Sequence, residues 1–166
     1  MDFKMQHRFG WSADRIWAIM SSGDNPVPMD ALKNVSEHVE VERRKTDCGY
    51  YKKFNWRVDG ELPRPLVHII GKEMLTFVEE TEWDIEKSLM KTKIIPHFFT
   101  DHITCRITRS YTSVGDNETL YLVNGFIEVR LPLIGRLIES TIVNYMVKNN
   151  AEYADRLREF FARELG

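Results

Sequence analysis

The last third of the chain constrains the fold most. From Glu118 to Arg130, apolar and polar residues alternate as they do in a strand with one buried face. This strand runs through Leu131-Pro132-Leu133 into an amphipathic segment that continues almost to Gly166. There the apolar residues are Leu133, Ile134, Leu137, Ile138, Ile142, Tyr145, Met146, Tyr153, Leu157, Phe160, Phe161 and Leu165, in helical steps. A helix from Gly135 to Glu164 would be about 45 Å long. That is longer than a small sheet needs for cover. It points to a sheet curling around the helix, with the space between them either filled or left open. Lys148-Asn149-Asn150 is a polar interruption that allows a bend.

Upstream, Asp2 to Phe9 puts Phe3, Met5, His7 and Phe9 on one face of a strand. Ser12 caps a short helix holding Ile16, Trp17, Ile19 and Met20, which Ser21-Ser22-Gly23-Asp24, Pro26 and Pro28 end. Met29 to Val35 is expected as a second short helix. Strands follow at His38–Thr46, with Val39 and Val41 inward and Glu40 and Glu42 outward, and at Tyr50–Val58, with Phe54, Trp56 and Val58 on one face. Asp47-Cys48-Gly49 joins these two as a hairpin. Glu61 to Gly71 reads as irregular. Met74–Trp83 with Ser88–Ile95, and Ile103–Thr112 with Glu118–Arg130, form further hairpins. Consecutive hairpins give an antiparallel meander, and helices on both sides of it make the class α+β.

A chain of 166 residues has the size of one domain, 1–166, and can bury a core without disulfide or metal staples. The net charge of −2 with interspersed signs argues against a nucleic-acid footprint. Cys48 and Cys105 lie in no CxxC spacing and in no Cys/His cluster, so a reducing compartment is the simple reading. Residues 1–7 lack the apolar core of a signal peptide, and no stretch approaches about 20 apolar residues. The expectation is a soluble, cytoplasmic protein.

The strand-to-helix passage Gly125-Phe126-Ile127-Glu128-Val129-Arg130-Leu131-Pro132-Leu133-Ile134-Gly135-Arg136-Leu137-Ile138-Glu139 is similar to that of a bacterial START-like family of unassigned function. The whole order of elements resembles the START-like helix-grip (SRPBCC) superfamily. Val41-Glu42-Arg43-Arg44, Ile69-Ile70-Gly71 and Phe77-Val78-Glu79-Glu80-Thr81-Glu82-Trp83-Asp84 resemble PRELI-type lipid-transfer domains. The resemblance implies a curved sheet of about seven antiparallel strands wrapped on the C-terminal helix, with two short helices after the first strand. It also implies a cavity for an apolar ligand between sheet and helix.

By alternation and helical phase, the residues expected around a ligand are Val41, Phe54, Trp56, Phe77, Glu79, Ile107, Arg109, Val123, Ile127, Ile138, Ile142, Tyr145 and Met146. The same apolar residues can also form an ordinary close-packed core. With Glu79, Arg43 and Arg109 could hold an anionic head group in a fork. Both arginines sit near strand ends, however, and are expected to reach water. His97 and His102 lack further ligands for a metal, and no GxSxG elbow or glycine-rich phosphate loop is present. No metal, cofactor or catalytic residue is therefore assigned. Loops 60–67 and 96–99 carry leucines, Val67, Phe98 and Phe99 among prolines, as a lid or a transient membrane contact would. The leading expectation is binding or transport of a lipid or other hydrophobic small molecule without catalysis. The alternatives are a cyclase- or hydratase-like enzyme with Glu79 as its base, and a co-chaperone-like interaction module with a filled core.

Overall fold

The computed structural model describes residues 1–166, apart from the side chain of Glu73. Seven strands form one antiparallel sheet: β1 (Asp2–Phe9), β2 (Val35–Thr46), β3 (Gly49–Val58), β4 (Thr76–Asp84), β5 (Leu89–Pro96), β6 (Ile103–Gly115) and β7 (Glu118–Val129). Their order is β1-β7-β6-β5-β4-β3-β2. The meander from β2 to β7 is thus unbroken, and β1 adds to its far edge. Helices α1 (Ala13–Met20) and α2 (Arg64–Val67) are short, and α3 (Gly135–Leu165) is a single long helix. Among the described residues, no helix is long and apolar enough to cross a membrane.

The strand-to-helix passage is tightly fitted. Gly135 starts α3 so close to β7 that a Cβ there would lie 2.3 Å from the Val129 carbonyl oxygen. The Val129 N–H donates to the Glu139 carboxylate at 2.9 Å, which ties the first turn of the helix to the strand it has just left. On β1, Phe3 pairs with Gly125 and lays its ring where a Cβ of that residue would be. The missing Cβ of Gly125 is what lets the ring come so close.

The C-terminal half of α3 closes one end of the molecule. Leu157, Phe161 and Ala154 are fully buried with Phe9, Ile16 and Tyr121. Phe9 meets Phe161 edge-on at 5.5 Å, and Trp11 meets Phe161 at 6.0 Å. Aromatic pairs in this geometry add to the gain from burial.

Three expectations are corrected. The second short helix shrinks to a three-residue 3₁₀ turn, Met29–Ala31, and β2 already begins at Val35. Sheet extension wins over helix here, because the Asn34 carbonyl accepts from the Asp59 N–H at 2.9 Å. The segment 61–71 is not wholly irregular, since α2 buries Leu66 completely. The phase of β2 is also reversed. Val39 and Val41 face outward, 48% and 49% exposed, whereas His38 and Glu40 face inward. Glu40 pairs with Phe54 and Glu42 with Lys53, so Val41 is an extra residue in a β-bulge. The bulge resets the alternation and brings Arg43 inward opposite Lys52.

A cavity between sheet and helix as the candidate functional site

Between the inner face of the sheet and the first half of α3 lies a cavity of about 530 Å³. That is within the usual range for a small-molecule site. Phe54, Trp56, Phe77, Glu79, Ile107, Arg109, Val123, Ile138, Ile142, Tyr145 and Met146 line it together. Two residues expected there do not. Val41 shares the outward face of β2 with Val39 and points to solvent, and Ile127 is sealed in the solid core.

One wall is aromatic. Trp56 stacks on Phe77 at 5.5 Å, and His38 lies 4.5 Å from the Phe54 ring and 4.3 Å from the Trp56 ring. Burial lowers the His38 pKa, against the opposing pull of Glu79, Asp30 and Glu40. Loop residues Leu62, Phe98 and Phe99 complete the wall, and Phe98 and Val67 remain exposed beside it. The Tyr145 hydroxyl donates to the Glu61 carbonyl oxygen, which pins the 60–67 loop to α3.

The floor is polar, and Arg109 is its centre. Arg109 is not on the outer surface, as expected from a strand end; it is half-buried on the inner face of β6 and borders the cavity. Its Nη1 donates to Thr92 Oγ1 at 2.6 Å. Thr92 and Thr81 share a hydroxyl hydrogen bond of 2.8 Å, and Thr81 donates to Glu79 Oε1 at 3.1 Å. A relay across β6, β5 and β4 thus joins the cation to its carboxylate without direct contact. Burial is the largest influence on Arg109 and opposes its charge, but Glu79 together with Tyr121, Tyr153 and Tyr111 outweighs it and raises its pKa. Tyr111 and Tyr121 stack at 4.8 Å beside it, and burial pushes both phenols up, so they stay protonated. Burial likewise lifts the Cys105 thiol to about 12.

Arg43 is at the rim, where it bonds Glu40 at 2.7 Å and Asp24 at 2.7 Å. The Arg43 hydrogen bond is the main cause of the lowered pKa of Glu40 and of Asp24. Lys52, only 2% exposed, approaches Glu40 at 3.3 Å, and burial lowers its pKa.

Several lining residues escaped the sequence reading. Lys52 shares the parity of Phe54 and Trp56, so alternation alone could have placed it inside. Thr81 has the parity of Glu79, by the same rule. α3 continues unbroken through Asn149-Asn150. Asn150 bonds His7 at 2.9 Å and the Tyr121 hydroxyl at 3.3 Å, and Asn149 accepts from Asn34 at 3.4 Å. Among the described residues, no group of three His, Cys, Asp or Glu is placed to hold a metal. His97 bonds Thr76 at 2.8 Å.

No family model and no curated protein matches the chain. Solved structures do. Norcoclaurine synthase from Thalictrum flavum superposes with a TM-score of 0.67 at 15% identity, covering 95% of this chain and 85% of the synthase. Another structure of that synthase holds dopamine and hydroxybenzaldehyde. A START superfamily protein from Mycobacterium smegmatis gives 0.59 at 16% identity over 95% and 97%. The Zhui aromatase/cyclase from a Streptomyces species gives 0.67 at 12% identity over 100% and 98%. At such identities the likeness is one of fold alone. The fold is the START-like helix grip, and its solved neighbours include enzymes as well as a protein named only for the superfamily.

Proposed function

We propose that the protein binds or carries a lipid or other hydrophobic small molecule in this cavity, without catalysis. The observation that supports this most is the space itself, about 530 Å³ left open beside an otherwise close-packed core. Burying an alkyl chain gains about 0.8 kcal/mol per methylene. A ten-carbon chain would gain roughly 8 kcal/mol before ordering costs, enough for useful affinity without covalent chemistry. The exposed Val67 and Phe98 at loops 60–67 and 96–99 suit brief contact with a membrane during exchange.

A second reading, a cyclase- or hydratase-like enzyme, is favoured by one observation: Glu79 is on the inner face, where a base could reach a bound molecule. The co-chaperone-like module needed a filled interior, and the cavity speaks against it.

The test is titration with Nile red, a neutral apolar fluorophore, together with native mass spectrometry of protein purified from cells. Saturable fluorescence gain and a co-purified apolar mass are expected. Protein that is uniformly empty and leaves Nile red dark would overturn the binding reading. Turnover of a bound molecule that is lost in Glu79→Gln would favour the enzyme instead.

A further inference from the structure

Resting on that binding reading, we infer that the ligand is an apolar monocarboxylic acid, its carboxylate anchored at the cavity floor by Arg109. Arg109 is mid-strand on β6, opposite Met90 on β5 and Val123 on β7, in a position where a sheet facing a core normally carries an apolar residue. Among the described residues, no carboxylate forms an ion pair with it. Glu79 acts only at a remove, through Thr81 and Thr92. A guanidinium has five N–H donors, and Thr92 accepts from one. The Tyr121 hydroxyl lies alongside. The cavity is the open space beside the rest of the group.

Keeping a cation inside without a contacting anion is costly, and a carboxylate brought by a ligand removes that cost while matching the guanidinium fork. The charge count selects the class. The floor already holds one cation and one anion, so any added anion leaves it negative, and a monoanion does so less than a dianionic phosphate. Tyr111 supports the assignment. Its hydroxyl is buried two residues along the same face of β6 and has no partner within the protein. A protonated phenol there can donate to an anion after a small shift. The apolar tail then runs from the floor toward Phe54, Trp56 and Phe77.

The experiment is displacement of Nile red at about pH 8, where carboxylic acids are ionised. The probes share one chain and differ in their head: decanoate, decanol, decylamine and decyl phosphate. Decanoate is expected to bind at least tenfold more tightly than decanol, a difference of about 1.4 kcal/mol. In Arg109→Gln this advantage should vanish, so that decanoate and decanol bind alike, and an unchanged circular-dichroism spectrum reports that the variant is folded. Equal binding of decanoate and decanol overturns the anchor. So does a preference for decylamine, which would make Glu79 the anchor, or for decyl phosphate. If Arg109→Gln does not fold, the ranking on the unsubstituted protein decides alone. If Nile red itself fails to bind, the cavity reading falls first. If it binds and all four probes displace it alike, only the carboxylate assignment falls.

Discussion

The two ends of α3 carry the same kind of apolar stripe and meet opposite fates. At the C-terminal end, Leu157 and Phe161 are fully buried against Phe9 and its neighbours, with aromatic rings filling the gap. At the N-terminal end, Ile142, Tyr145 and Met146 are only half-buried and overhang the cavity. The opposing sheet face there carries an aromatic wall of Phe54, Trp56 and Phe77 above a floor of Thr81, Thr92 and Arg109, and these leave a gap that Phe9 closes at the other end. One amphipathic helix therefore serves as a core element over half its length and as the wall of a site over the other half. What differs is the partner surface.

The largest expected effect tests the packed end. Phe161→Ala should cost about 3–5 kcal/mol, read as a lower urea midpoint, because it opens a new hole among close-packed rings. Met146→Ala should cost only about 1 kcal/mol, because its side chain already borders a void. Equal losses would abolish the contrast between the ends. Next, Ile142→Trp should fill the open end and weaken Nile red binding at least tenfold, about 1.4 kcal/mol, while stability changes by less than that. Unchanged binding would mean that the dye sits elsewhere.

A smaller effect concerns pH. His38 has a folded-state pKa below its ordinary value of 6.5, chiefly through burial, so the native state favours the neutral ring. Its contribution is complete above about pH 6.5 and is lost as the pH falls below it, because the unfolded chain then binds more protons. The slope should be at most about 1.4 kcal/mol per pH unit, and His38→Phe, which keeps the aromatic stack, should flatten it. The smallest effect is at the loop. Tyr145→Phe should cost about 0.5–1.5 kcal/mol and speed Nile red release in stopped-flow traces, since the hydroxyl no longer holds the Glu61 carbonyl. Unaltered release would remove the 60–67 loop from the exchange route.

Much of this architecture was legible in order and type. β1 and β7 follow from clean alternation, and α3 from its three-and-four spacing. The face of β3 that carries Phe54 and Trp56 is the inner one. β2 departs from its apparent pattern for a specific reason. Val39 and Val41 look like an inward face, but as an edge strand β2 spends its inner face on a charged rim, where Arg43 and Lys52 both meet Glu40. The bulge at Val41 left no mark in the pattern, since it is fixed by pairing with β3. Arg109 departs from its pattern in the opposite direction. A charged residue near the end of a short apolar run reads as exposed, but β6 extends to Gly115, which puts Arg109 mid-strand and inside.

By itself, the sequence determined the succession of strands and helices and which face of α3 is apolar, because periodicity is a property of neighbouring residues. Only the tertiary structure decided that the sheet stands away from one half of that helix, and that a cation, two threonines and a carboxylate from three strands meet on the floor of the gap. The width of such a gap depends on sheet curvature, a bulge and side-chain volumes contributed by segments far apart in the chain, so no local pattern encodes it.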